Sequence, residues 1–140
     1  MGFKIKHRAE SGIGLVLGSG HVTGQELVRA CTEMVKDPRW EPGDTEVWDL
    51  STAIEVDVSP DELDRLVESA HEYSERIGAG RCVFITARDG VEALLRLFEL
   101  LTRDLDRDYH IARTRADAAR WLGLDIDVLD QIAEENGAEV

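Results

Sequence analysis

The chain is poor in cysteine, proline and aromatic residues, and poor in positive charge. Only two cysteines occur in 140 residues, Cys31 and Cys82, without Cys-x-x-Cys spacing, so neither a disulfide framework nor a four-thiolate zinc site fits. Each stands where a small apolar residue is expected, which predicts buried, reduced thiols. No uninterrupted apolar run approaches the roughly 18 residues of a membrane-spanning helix, and no basic, apolar, small-residue leader opens the chain. No membrane span and a cytoplasmic location are the expectations. Lysine and arginine total 16 against 29 acidic residues, a formal net charge of -13. That balance argues against nucleic acid and anionic membranes, because phosphates are gripped by cations that displace counterions. The basic exception is Lys4, Lys6, His7 and Arg8, whereas the stretch from Asp125 onward is acidic.

What is present suits one domain over residues 1–140, with 125–140 as a C-terminal arm. At 43% hydrophobic the chain has enough apolar side chains for a core without staples. Phe3 to His7 alternates with period two, and Glu10-Ser11-Gly12 turns the chain before the apolar run from Ile13 to Leu17, which reads as an opening hairpin. Thr23 with Glu26 forms a capping box for a helix over 24–36, and Pro42-Gly43 marks a turn before a strand at 45–50. Ser59 with Glu62, and Pro60 at the first helical position, start a second helix whose apolar stripe reaches Ile77. A fourth strand over 82–87, a helix opened by Asp89, a short strand over 109–112 and two short helices complete the order. Strands separated by helices of this length favour parallel neighbours, so the fold class is α/β with a mixed, largely parallel sheet.

The segment from Asp49 to Pro60 joins strand to capped helix through a predicted loop bearing Ser51, Asp57 and Ser59. The spacing Asp49-Leu50-Ser51, four residues, then Val56-Asp57-x-Ser59 resembles the signature of STAS domains, the SpoIIAA-like fold of bacterial anti-sigma-factor antagonists. Gly20-x-Val22-Thr23 and the close Ala118-Ala119-Arg120-Trp121-Leu122 are similar to a poorly characterised bacterial branch grouped with STAS and lipid-transfer (CRAL-TRIO) folds. The resemblance covers roughly residues 3–123. It implies a two-layer module that binds protein partners or apolar ligands, uses no cofactor and has no catalytic apparatus. It also implies that Asp49, Ser51, Asp57 and Ser59 form an interaction loop, with Ser59 as the switch serine for phosphorylation. Val58 replaces a small hydroxyl residue of that family and Pro60 its glycine, and Asp57, Asp61 and Glu62 would repel a phosphate. The plainer reading of Ser59 is an ordinary N-cap.

Other motifs have bland readings. Gly18-Ser19-Gly20-x-x-x-Gly24, with Asp49 ending the next strand, imitates a dinucleotide loop, but its third glycine is displaced by one; a tight turn with a capping box is the preferred account. His71 and Glu75 sit one helical turn apart without a third metal ligand, and Asp104-x-Asp106-x-Asp108 lacks the glycine and the distal glutamate of a calcium loop. No metal site is expected. A Cys31–histidine pair would need an activated thiol, against the expected burial. Trp48 and Phe84, with Leu95 and Phe98 from the following helix, are candidate walls of an apolar cavity for a small or lipid-like ligand. A two-layer arrangement also leaves one sheet face uncovered, which a homodimer or the arm at 125–136 would close. The leading expectation is a non-enzymatic interaction or regulatory module whose contact edge is the loops at 20–23, 51–59 and 88–90. The alternatives are the apolar-ligand carrier and, disfavoured, a nucleotide-binding enzyme.

Overall fold

Glycine at residue 12, with a left-handed φ of 64°, closes the turn between the first two strands, β1 (Phe3–Arg8) and β2 (Ile13–Thr23). The computed structural model describes residues 2–135. After the hairpin come α1 (Gly24–Lys36), β3 (Thr45–Asp57), α2 (Pro60–Glu72), α3 (Ser74–Ile77), β4 (Arg81–Ile85), α4 (Asp89–Leu101), β5 (Asp108–Ala112), α5 (Arg115–Leu122) and α6 (Val128–Glu134). The sheet runs β1-β2-β3-β4-β5, with β1 antiparallel to β2 and the other pairs parallel. This is the expected α/β architecture. Because each new parallel strand is added on the same side, crossovers of one hand leave α1, α2 and α4 on one face. Their buried residues, among them Leu27, Met34, Leu66, Val91 and Leu95, share a core with Val16, Trp48, Leu50, Cys82 and Phe84.

Alternation along the strands sends Leu15, Val47, Val83 and Ile85 to the opposite face. That face is covered from within the chain. Ala118, Ala119 and Leu122 of α5, and Leu129 and Ile132 of α6, pack there, the last two with no exposed surface. The small alanines let α5 approach the sheet closely, while Trp121 lies outside the core and stacks on His110 at 4.9 Å. The arm is held at its far end by the first strand. Lys6, only 2% exposed, donates from Nζ to the carbonyl oxygens of Ala133 (2.9 Å) and Glu135 (2.6 Å), satisfying the orphan acceptors that end a helix. Arg8 Nε adds a 3.0 Å bond to Glu135. Residues 136–140 of the arm lie outside the described residues.

Several boundaries differ from the sequence reading, and β4 ends at Ile85 instead of residue 87. Strand β2 does not stop near Leu17 and β3 does not stop near Leu50: the two continue together to Thr23 and Asp57. Two register irregularities absorb the mismatch, one of them beside Gly20, whose φ of 67° admits the bulge. Helix α2 breaks at Tyr73 (φ -99°, ψ 16°) instead of reaching Ile77. Among the described residues no helix is long and apolar enough to cross a membrane.

Candidate functional site

Two places emerge, a cavity under the helical layer and the projecting end of the β2–β3 ribbon. Side chains two apart on a strand share a face, so Glu46 and Trp48 of β3, Cys82 and Phe84 of β4 and Tyr109 of β5 all point toward α2 and α4. Together with Leu66, Leu95 and Phe98 from above, they enclose a cavity of about 60 Å³ lined almost wholly by carbon. The structure thus brings Trp48, Phe84, Leu95 and Phe98 around one void. Phe84 stacks on Tyr109 at 6.1 Å and meets Phe98 edge-on at 6.3 Å, a packed aromatic floor. Helix α2 lies closely along α1 and only lightly against α4.

A charged pair sits in this apolar setting. Arg107, just before β5, makes an ion pair with Glu46 through Nη1; the two side chains are 6% and 7% exposed. Trp48 Nε1 donates to Glu46 Oε1 at 3.0 Å, and the guanidinium lies 5.7 Å from the Tyr109 ring centre. Arg107 Nε and Nη2 have no hydrogen-bond partner among the described residues. Sequence reasoning missed both residues: each reads as a solvated charge beside a strand, and only the period-two facing of Glu46 with Trp48 hinted otherwise. Burial pushes the Tyr109 phenol up to about 12, with its bond to the Thr102 hydroxyl a partial offset. Burial likewise pushes the Cys31 and Cys82 thiols well above the ordinary range, so neither is poised as a nucleophile.

At one side of the helical layer, His71 in the last turn of α2 reaches across to Asp104. Its Nδ1 donates to the Val67 carbonyl at 2.9 Å and its Nε2 meets Asp104 Oδ2 at 2.9 Å. Both partners are acceptors, so only the imidazolium donates to both. The Val67 carbonyl first, and Asp104 second, raise the His71 pKa, while the histidine lowers that of Asp104. A raised folded-state pKa means stability that is fully present below about pH 6.5 and fades as pH rises through the folded value. The lowered Asp104 sets the other limit, its contribution vanishing as pH falls through its own folded value. Urea midpoints are therefore expected to separate wild type from His71→Gln at pH 6 and to converge toward pH 9. A gap that is constant over this range would refute the clasp.

The second place corrects the sequence reading. Residues 51–57 are strand, not loop, since Thr52, Ala53, Glu55, Val56 and Asp57 pair with Ser19 to Thr23. The alternation Ile54, Val56, Val58 was the signal that could have shown it. The same ladder removes the nucleotide-loop geometry from 18–24, whose main chain is committed to pairing with Phe3 and with β3. Asp49 is 1% exposed and accepts from Ser51 N (2.9 Å), Ser51 Oγ (2.5 Å) and Arg115 Nε (2.5 Å). Arg115 Nη1 also bonds Asp130, so Asp49 ties β3 to α5 and α6. The four residues expected to form one interaction loop are therefore split: Asp49 and Ser51 serve the back face, and Asp57 and Ser59 lie at the exposed ribbon end.

Ser59 caps α2 as the spacing predicts. Its Oγ accepts from Glu62 N at 3.2 Å and its own N–H donates to Glu62 Oε1 at 2.9 Å. Ser59→Ala is expected to cost about 1 kcal/mol in urea unfolding; a change within experimental error would show the cap to be dispensable. Arg88, on the predicted loop at 88–90, donates to the Ile54 carbonyl and so braces the ribbon. Ile54 itself is 70% exposed. No group of three or more potential metal ligands occurs among the described residues.

No protein-family model matches the chain, and no curated protein does. A solved structure from Shewanella loihica PV-4, described as an uncharacterized protein from the DUF3478 family with a SpoIIAA-like fold, superposes with a TM-score of 0.58 at 13% identity. The match covers 86% of this chain and 94% of that one. That superposition, over nearly the whole of both chains, makes the conclusion about architecture plain: the chain has the SpoIIAA-like, STAS-like fold.

Proposed function

We propose that this domain works by binding, without turnover, and that it carries a small apolar molecule between α2, α4 and the sheet. The carrying observation is the cavity of about 60 Å³ walled by Trp48, Phe84, Leu95 and Phe98. Protein interiors are close-packed, with few voids larger than a water molecule, and a void so poor in polar lining favours apolar guests over water. The light contact between α2 and α4 gives a guest a way in. Titration with xenon, small enough for a void of about 60 Å³, followed by methyl NMR shifts, tests the reading. Saturable shifts of the Leu66 and Leu95 methyls are expected, abolished by the space-filling Leu66→Trp. Cavity methyls that stay unmoved at ligand saturation would overturn it.

A protein partner at the ribbon end is the second reading, supported by a different observation. Strand β4 pairs with β3 only as far as Asp49, so the β4-side edge of β3 beyond it runs on without a strand partner while Ile54 stands exposed. An open edge with an apolar side chain suits β-strand addition. A photo-crosslinker at position 52, used in the native cell, should give one discrete product that Ile54→Asp abolishes; a product indifferent to that change would rule this surface out.

A further inference from the structure

The unengaged edge of Arg107 extends the carrier reading, on which the following rests, from an apolar guest to a guest of defined head group. Nε–H and Nη2–H lie side by side on one edge of a guanidinium and form its two-pronged grip. Elsewhere in this chain that edge is occupied: Arg39 uses it on Asp37 at 2.9 Å for each nitrogen, and Arg96 on a single oxygen of Glu92 at 3.0 and 2.8 Å. In Arg107 the same two atoms are buried without a protein partner, and the residue lines the cavity. A buried donor left unsatisfied is costly, so whatever enters this cavity gains by offering an acceptor there.

Charge decides which acceptor. Nη1 is already engaged by Glu46, and the pair is neutral as a unit. A carboxylate guest would bring a second negative charge into an apolar space with one cation to share, a poorly compensated arrangement. A carbonyl oxygen has two lone pairs, no charge and the capacity to accept both prongs, as Glu92 Oε2 does from Arg96. We infer that the cavity takes an uncharged molecule with a short apolar body and one carbonyl-type oxygen, held by Nε–H and Nη2–H of Arg107 while Glu46 excludes the corresponding acid. Glu46 is thereby the specificity-determining residue, acting by repulsion rather than contact.

Three probes of matched body and of a size for this cavity separate the outcomes by NMR titration of its methyls: acetone, its hydrocarbon isostere isobutene, and acetate. Wild type should bind the ketone about tenfold or more tighter than either other probe, the margin of hydrogen bonds to a charged group. Glu46→Gln, which keeps an acceptor for Trp48, should reverse the ranking of ketone and acetate. The paired change Glu46→Gln/Arg107→Met, which leaves no lone buried charge, should bind ketone and alkene alike. Equal binding of ketone and alkene by wild type would remove the head-group inference and leave the carrier reading intact. Acetate binding as tightly as the ketone in wild type, or a ranking unmoved by Glu46→Gln, would remove the role of Glu46. Failure of all three probes to bind would sink the carrier reading and this inference with it.

Discussion

Leu129→Ala combined with Ile132→Ala is expected to lower the free energy of unfolding by about 4 kcal/mol or more, since buried Leu or Ile to Ala costs about 2–5 kcal/mol each. Both side chains are fully buried on the sheet face opposite α1, α2 and α4, in one cluster with Leu15, Val47 and Val83. With domain stabilities of about 5–15 kcal/mol, such a loss puts folding itself at stake. The variant should also sediment heavier than wild type, because α6 is what keeps a row of Val, Leu and Ile side chains from water. Urea unfolding with sedimentation equilibrium reads both effects. A double variant as stable as wild type and of the same mass would show that α6 merely rests on the face it covers.

Breaking the Glu46–Arg107 pair from one side is the other large effect. Arg107→Met should cost about 3–5 kcal/mol, because it strands a carboxylate that is 7% exposed and otherwise meets only Trp48 Nε1. Replacing both partners, as Glu46→Gln/Arg107→Met, should recover most of that loss: taking two charges out of an apolar site removes the desolvation penalty along with the attraction. The order of the two variants in a urea series is the test. If the double variant is the less stable, the two groups act independently of one another.

The parts of the fold written in local chemistry were legible. Thr23 with Glu26 and Ser59 with Glu62 announced two helix starts that the structure reproduces atom for atom as capping boxes. Period-two facing placed Trp48 with Phe84, and helical spacing added Leu95 and Phe98, the four that surround the cavity. What remained hidden depends on pairing across the chain. Ser51 to Asp57 matched a contact-loop signature, which outweighed the alternation of Ile54 and Val56, and pairing with Ser19 to Thr23 is what fixes it as strand. Asp49 matched a family signature for a contact loop, yet Arg115 draws it into the back of the sheet. Arg107 lies in a polar run between α4 and β5, where nothing local distinguishes a guanidinium folded inward from one in water.

The bond from Lys6 to the last carbonyls of α6 has a consequence for synthesis on the ribosome. Lys6 emerges 127 residues ahead of its acceptor Ala133 and 129 ahead of Glu135. Until the arm arrives, the nascent sheet presents one bare flank to water and to chaperones. Locking of that flank is therefore coupled to arrival of the arm, and a stalled or prematurely ended chain advertises itself by the greasy surface it has not yet hidden.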